Sequence, residues 1–357
     1  MRVLITGHRG YIGSVLVDLL KAAGHEVAGA DTQLYKDCTF GGNTDDGIPT
    51  INRDIRELSP TDLEGIDAIA HLAGICNDPL GDFWPEATYE INHAATVRLA
   101  EIAKTSGVRR FIFSSSCSVY GAAGEDWIDE QSKSNPITPY GISKWRAEVD
   151  LGRLADARFS PVFLRSATAY GFSPRIRFDL VLNNLTAHAF TSGKVLLKSD
   201  GMSWRPIVHI EDIGRAFVAA LEAPVETVYN EIFNVGITTE SYRIWEIAQI
   251  VEEMVPGSRV EFAAGAGPDK RSYRVDCSKI ARLLPNFRPQ WTARRGARDL
   301  YKRYSEHGLL LEDFEGARYQ RLAYLQSLMA RGAIDNNLRW VVPVAGLETS
   351  AASPIRA

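Results

Sequence analysis

Short apolar runs and amphipathic stretches alternate along the first half of the chain. Arg2–Thr6 (RVLIT), Glu26–Ala30 (EVAGA), 68–72 (AIAHL), 110–114 (RFIFS) and 161–165 (PVFLR) are almost continuously apolar. Runs of that length predict strands buried on both faces, as parallel strands between helical layers are. Between them, residues 12–23, 86–105 and 140–157 read as helices. Strand–helix–strand repetition predicts right-handed βαβ units and an α/β fold built on a doubly wound parallel sheet.

After residue 165 the rhythm shortens. Helices are expected over 178–191, 211–222 and 242–254, and short strands over 195–197, 206–209 and Glu231–Val235. Such mixed elements suit a smaller α/β lobe interleaved with the sheet. Residues 300–339 read as a mostly helical, polar extension, and the small-residue tail GLETSAASPIRA as disordered.

Composition narrows the function classes. A chain of 357 residues suits about two domains. Hydrophobic and charged fractions of 45% and 24% are those of globular domains, which excludes a disordered or fibrous chain. Forty basic against 44 acidic side chains leave a net charge of -4, so nucleic acid is not an expected partner. No apolar run approaches the roughly 18 residues of a membrane span, and MRVLITG does not read as a secretory signal. Cys38, Cys76, Cys117 and Cys277 form no CxxC pair, and the seven histidines show no metal-ligand spacing. Reduced thiols, no metal and a cytoplasmic setting are therefore expected.

Two constellations carry chemistry. Gly7, Arg9, Gly10, Tyr11, Ile12 and Gly13 lie between the first strand and the first helix. There a glycine backbone turns tightly and admits a pyrophosphate to the helix N-terminus. Asp31 ends the second strand eighteen residues after Gly13, where a carboxylate accepts hydrogen bonds from an adenosine ribose and disfavours a 2′-phosphate. NAD is the cofactor this predicts, although Arg9 could reach a 2′-phosphate. The second constellation is Tyr140-Gly-Ile-Ser-Lys144, entering a helix after Pro139. Tyrosine and lysine four apart share a helical face. An ammonium beside a phenol is expected to draw its pKa down toward working pH, making a general base for a sugar or alcohol hydroxyl. Ser114, Ser115 and Ser116 end the preceding strand at the same crevice.

Together with His71–Gly74 (HLAG), 114–121 (SSSCSVYG) and PYGISK, these motifs resemble the extended short-chain dehydrogenase/reductase family over residues 1 to about 300. More narrowly, they resemble its NAD-dependent epimerase/dehydratase group, which acts on nucleotide-sugars. The resemblance implies a Rossmann cofactor domain over 1–170, a nucleotide-sugar lobe over 171–300 and a helical extension with a flexible tail over 301–357. It places Ser116 and Tyr140 about the reacting sugar hydroxyl, with Lys144 on the nicotinamide ribose. Asp54 and Ile55 would flank the adenine, while Leu72, Ala73, Gly74, Asn92, Ser114 and Ala167 would line the cofactor. Cys117, Ser118 and Thr168 would wall the substrate, and Asn183, Asn184, Arg205 and Arg271 would meet its diphosphate. The phosphate role suits the planar fork of arginine. A homodimer through the 86–105 and 140–157 helices is also implied.

The mechanism that follows is epimerisation through transient oxidation, in which hydride leaves one face of a sugar carbon and returns to the other. A net oxidoreductase or a ring-rearranging enzyme could use the same residues, and a non-catalytic dinucleotide sensor would not need Ser116, Tyr140 and Lys144 together. Sugar 4,6-dehydratases of the group carry Thr-Asp-Glu before VYG, and its decarboxylases carry a glutamate at the Ser118 position. Here those positions are Ser116, Cys117 and Ser118.

Overall fold

The structure is a computed structural model, which describes residues 1–41, 46–122, 124–267 and 272–341. Its centre is a seven-stranded parallel sheet. Strands β1 (Arg2–Thr6), β2 (Glu26–Ala30), β3 (Thr50–Ile51), β4 (Ala68–His71) and β5 (Arg110–Ser116) belong to it. A short β6 (Trp127–Ile128) lies outside, and β7 (Ser160–Ser166) returns to the sheet. The first-half strands fall where the apolar runs put them, because each is covered on both faces: Val3, Leu4 and Ile5 have no exposure at all.

One face is covered by α1 (Gly13–Ala22). The other is covered by α2 (Asp78–Phe83), α3 (Pro85–Tyr89), α4 (Ala95–Thr105) and α5 (Pro139–Arg153). Residues 86–105 do not form one uniform α-helix. Glu90–Ala94 widen into a π turn between α3 and α4, a local bulge that re-aims side chains and is frequent at functional sites.

The lobe begins with β8 (Thr168–Tyr170), α6 (Val181–Ser192), β9 (Lys194–Ser199) and β10 (Trp204–His209). The chain then goes back to the main sheet. Helix α7 (Ile210–Glu222) packs beside α1, and after a short α8 (Val225–Val228) strand β11 (Glu231–Val235) pairs with β7. Sheet order is β3-β2-β1-β4-β5-β7-β11, so the strand order reverses beside β1. The lobe resumes with β12 (Ser241–Arg243), α9 (Ile244–Met254), β13 (Arg259–Gly267), β14 (Arg274–Val275) and α10 (Ser278–Leu283). Strands β12, β10 and β8 form a mixed sheet, β13 pairs with β9, and β14 pairs with β6.

The residues after 290 split between the two parts. Helix α11 (Ala293–His307) packs on α6 and α9 of the lobe, followed by α12 (Leu311–Glu315). Helix α13 (Arg321–Ala330) and the segment to Leu338 join the cluster beneath α4 and α5, through Tyr324, Leu325, Leu328, Ile334 and Leu338. The GLETSAASPIRA tail lies outside the described residues.

Candidate active site

A cleft of about 800 Å³ opens where the main-sheet strands end and the lobe begins. That is the switch point at which open α/β sheets bind ligands. Nine cationic and four acidic side chains line it, an excess that suits anionic ligands.

The glycine loop forms one wall. Gly7 has φ 77°, and a Cβ there would lie 2.8 Å from the Ala73 amide nitrogen. A Cβ at Gly13 would overlap the Gly7 carbonyl oxygen. Only bare backbone fits at both places, leaving a cradle at the N-terminus of α1. Asp31 is held at its rim, accepting hydrogen bonds from the Arg9 amide at 3.1 Å and the Gln33 amide at 2.7 Å. Gly10, Tyr11, Ile12, Asp54, Ile55, Leu72, Ala73 and Gly74 line the same cleft. Cradle, acidic rim and cationic excess together fit a dinucleotide.

On β5 the side chains alternate. Ser114 and Ser116 face the cleft half-buried, while Ser115 turns back and donates to Glu148 Oε1 at 2.5 Å. Ser116 Oγ donates to Ser118 Oγ at 3.1 Å and accepts from the Ser118 amide. It lies close enough to the phenol of Tyr140 to lower its pKa. Helix α5 starts with Thr138 as its cap, accepting from the Gly141 amide, and Pro139 in its first turn. That start brings Tyr140 into the cleft with Lys144 one turn along. Lys144 Nζ donates to the Ser114 carbonyl at 2.8 Å and stands 6.0 Å from the Tyr140 ring centre.

The electrostatics differ from the expected pairing. Burial raises the Tyr140 phenol well above its ordinary value, and Ser116 only partly opposes it. Burial also pushes Lys144 down, to about 8. The reason is geometric: the ammonium is engaged by the Ser114 carbonyl, and both groups are out of water. The protonated phenol is therefore favoured until a positive charge is brought beside it.

Ala167, Thr168, Asn184 and Arg205 line the lobe side, and Ser118 borders Ser116. Three expected contacts lie behind the walls instead. Asn183 is fully buried and bonded to the Gly171 amide, the Tyr11 hydroxyl and the Arg177 carbonyl, so it braces the lobe against the glycine loop. Asn92, turned inward from the π segment, bonds both main-chain groups of Ile75 and supports Gly74 from the rear. Cys117 is buried, its thiol donating to the Arg165 carbonyl at 3.3 Å and pushed up by burial, so it is no wall of the site. Arg271 lies outside the described residues.

The cleft also contains groups the motifs did not single out. Arg177 forms an ion pair with Asp179 at 2.6 Å beside Cys76. Tyr35, Arg175, Arg321 and Leu338 line the end next to Asp31. No local pattern flags Arg321 or Leu338, which reach the site only through the tertiary path of the extension.

The family model of the NAD dependent epimerase/dehydratase family matches residues 3–236. The chain belongs to that family. Its cofactor is NAD. The UDP-glucose 4-epimerase of Mycolicibacterium smegmatis is 29% identical over 303 residues, covering 81% of this chain and 94% of its own. Among solved structures, MoeE5 in complex with UDP-glucuronic acid and NAD is 28% identical with TM-score 0.74, covering 87% of this chain and all of its own. UDP-glucuronic acid 4-epimerase from Bacillus cereus, in complex with UDP-glucuronic acid and NAD, is 27% identical with TM-score 0.72, covering 86% and 99%.

Proposed function

We propose that the chain is a nucleotide-sugar epimerase, with a UDP-hexose inverted at carbon 4 as the first substrate to test. The observation that carries this is the meeting of Ser116 and Tyr140 at the cleft, with Lys144 on the next turn of the same helix. The named relatives, two of them 4-epimerases, suggest the sugar class and the carbon. Gly7, Gly10, Gly13 and Asp31 would hold NAD, with Lys144 toward its nicotinamide ribose. When bound, NAD supplies the acceptor and donor of hydride and, oxidised, a fixed positive charge. For the oxidation step Tyr140 must be the phenolate, which the Lys144 ammonium and the positive charge of oxidised NAD would favour. It takes the proton of the sugar hydroxyl as that carbon is oxidised and returns it when the carbonyl is reduced, so the proton count closes over the cycle. Ser116 holds the hydroxyl in line. Arg205 and Asn184 serve the diphosphate from the lobe, which on this reading is formed mainly by 171–300, while 1–170 carries the cofactor.

Dehydration is the less favoured outcome. Expelling a sugar hydroxyl needs an acid, and the segment between Ser116 and Val119 contains only a hydroxyl and a thiol. Burial raises that thiol, and its proton points at a carbonyl away from the cleft.

Incubation with UDP-, GDP-, CDP- and dTDP-sugars, followed by mass spectrometry and NMR, is expected to give an isomer of unchanged mass with no net NADH. Tyr140→Phe should lower turnover by about 10²–10⁴-fold. A product lighter by one water would sink the epimerase reading, and stoichiometric NADH would make the enzyme a net oxidoreductase.

We also infer a homodimer and a cytoplasmic setting. Exposed apolar side chains on α5 support the first, and the unpaired cysteines support the second. No helix among the described residues is long and apolar enough to cross a membrane.

A further inference from the structure

The residue after Asp31 begins a loop that runs along the adenosine end of the cleft, and the C-terminal segment grips it at many points. Trp340 Nε1 donates to the Thr32 carbonyl at 2.8 Å, and Arg318 Nε to the Asp37 carbonyl at 2.8 Å. The Tyr324 hydroxyl donates to Asp37 Oδ2 at 3.0 Å. Beneath these contacts Arg175 reaches the Tyr35 and Lys36 carbonyls from the lobe side. Loop and extension form one built wall.

Arg321, the first residue of α13, projects through that wall into the cleft. Its guanidinium lies 4.0 Å above the Tyr35 ring, and Nη2 donates to the Arg175 carbonyl at 3.1 Å. The residue is only 5% exposed, yet Nη1 has no hydrogen-bond partner. Stacking and one carbonyl fix the plane of the fork, and Asp179 lies within electrostatic reach, but none of these hydrogen-bonds Nη1. A buried guanidinium with a bare nitrogen is costly unless an anion completes it. Arg9, from the glycine loop, has a second such nitrogen, its Nε. Arg175 is within electrostatic reach of both arginines and of Asp31.

We propose that Arg321 is a cofactor-binding residue whose Nη1 donates to the pyrophosphate of the dinucleotide, so that the C-terminal extension completes the NAD site. A planar fork with one edge fixed and one open is suited to a phosphate oxygen. The cradle at Gly7–Gly13, on the same cleft, would serve the same group. Arg321 lies outside the residues matched by the family model, which end at 236. In this chain, therefore, a segment beyond the matched part would supply a charge to the shared site. The inference rests on the NAD site and not on which sugar is turned over.

Calorimetry of NAD binding to the full-length chain tests it. Arg321→Gln is expected to weaken NAD on the order of 10- to 100-fold, as for a lost hydrogen bond to a charged group. The variant should also flatten the salt dependence of binding, whereas Arg321→Lys should retain most of both. The affinity of the NAD-loaded chain for UDP should not change. In the unsubstituted chain, hydrogen exchange over 321–330 should slow when NAD is added. NAD affinity within about twofold of the parent in the Gln variant would overturn the proposal. So would equal losses of NAD and UDP affinity together with a lowered melting temperature, or exchange over 321–330 that ignores NAD. Failure of the unsubstituted chain to bind NAD would instead sink the cofactor assignment itself.

Discussion

Lys144 and Tyr140 show how a residue can serve chemistry at a cost to the fold. Both are held out of water, so their charged forms are disfavoured: the phenol is raised and the ammonium lowered to about 8. The sign of the lysine effect on stability follows from proton counting. Above about pH 8 the native chain loses this proton, while the unfolded chain keeps it up to about 10.5. Stability therefore rises with pH across that window, and below it the native state carries the full penalty of a buried ammonium. Lys144→Met fills the same space without charge. At pH 7 it is expected to abolish turnover while stabilising the chain by on the order of 3 kcal/mol, an advantage that shrinks to nothing near pH 10.5. Urea midpoints at the two pH values would show it, and equal midpoints for parent and variant at pH 7 would mean that the amine is solvated. That Ser116, Tyr140 and Lys144 come together at one cleft was legible in the sequence, because YxxxK on a helix and a serine-ended strand are local patterns. The direction of the pKa shift was not, since it depends on burial and on the Ser114 carbonyl taking the ammonium.

Elements place these residues through a network behind the cleft. Strand β5, helix α5 and strand β7 meet at Glu148 and Arg165, a buried pair at 2.6 Å, with side chains 4% and 5% exposed. Arg165 also donates to the Tyr120 hydroxyl at 3.0 Å, and that hydroxyl donates to Asn234 on β11 at 2.7 Å. Glu148 lies one turn beyond Lys144, so the pair anchors helix α5 to the strand carrying Ser115. Breaking a buried pair by removing one partner leaves the other charge uncompensated. Glu148→Ala is thus expected to destabilise the chain by about 3–5 kcal/mol, and replacing Arg165 with Met in addition should recover part of that loss. A drop in the urea midpoint for the single variant, with partial recovery in the double, is the check. A loss below about 1 kcal/mol would place the pair in solvent. At this scale the parallel strands were readable as apolar runs. The π turn at Glu90–Ala94 was not, because nothing in its composition separates it from the α-helix around it. Its effect appears only in where Asn92 points. Asn183, expected at the diphosphate, braces the lobe instead, because its partners, the Gly171 amide, the Arg177 carbonyl and the Tyr11 hydroxyl, are brought near by the fold.

At the scale of the whole molecule, the sheet and lobe bracket the cleft, and the extension ties them from outside. Its helical character could be read from the sequence. Its destination could not, because α11 and α13 choose their neighbours by long-range packing that leaves no periodic signature. What remains open to solvent points to assembly. Helix α5 buries Ala147 and Leu151 beneath it, yet leaves Trp145 39% and Val149 38% exposed, four residues apart on one stripe. Near this stripe, Arg146 lies 4.9 Å above the Tyr89 ring of α3, and His93 of the π segment meets Asp150 at 2.7 Å. Apolar side chains rimmed by polar ones on the outer face of α5 are what the inferred interface between two copies would use. A two-fold partner would pack the same helix against itself, since such interfaces are self-complementary. The parent chain is expected to sediment as a dimer at micromolar concentration. Trp145→Asp combined with Val149→Asp should sediment as a folded monomer, because charges opposed across the axis cannot be buried. NAD binding should survive in that monomer, since both substitutions lie on the helix face away from the cleft. A parent chain that sediments as a monomer would overturn the dimer, and a double variant that remains dimeric would move the interface to another face.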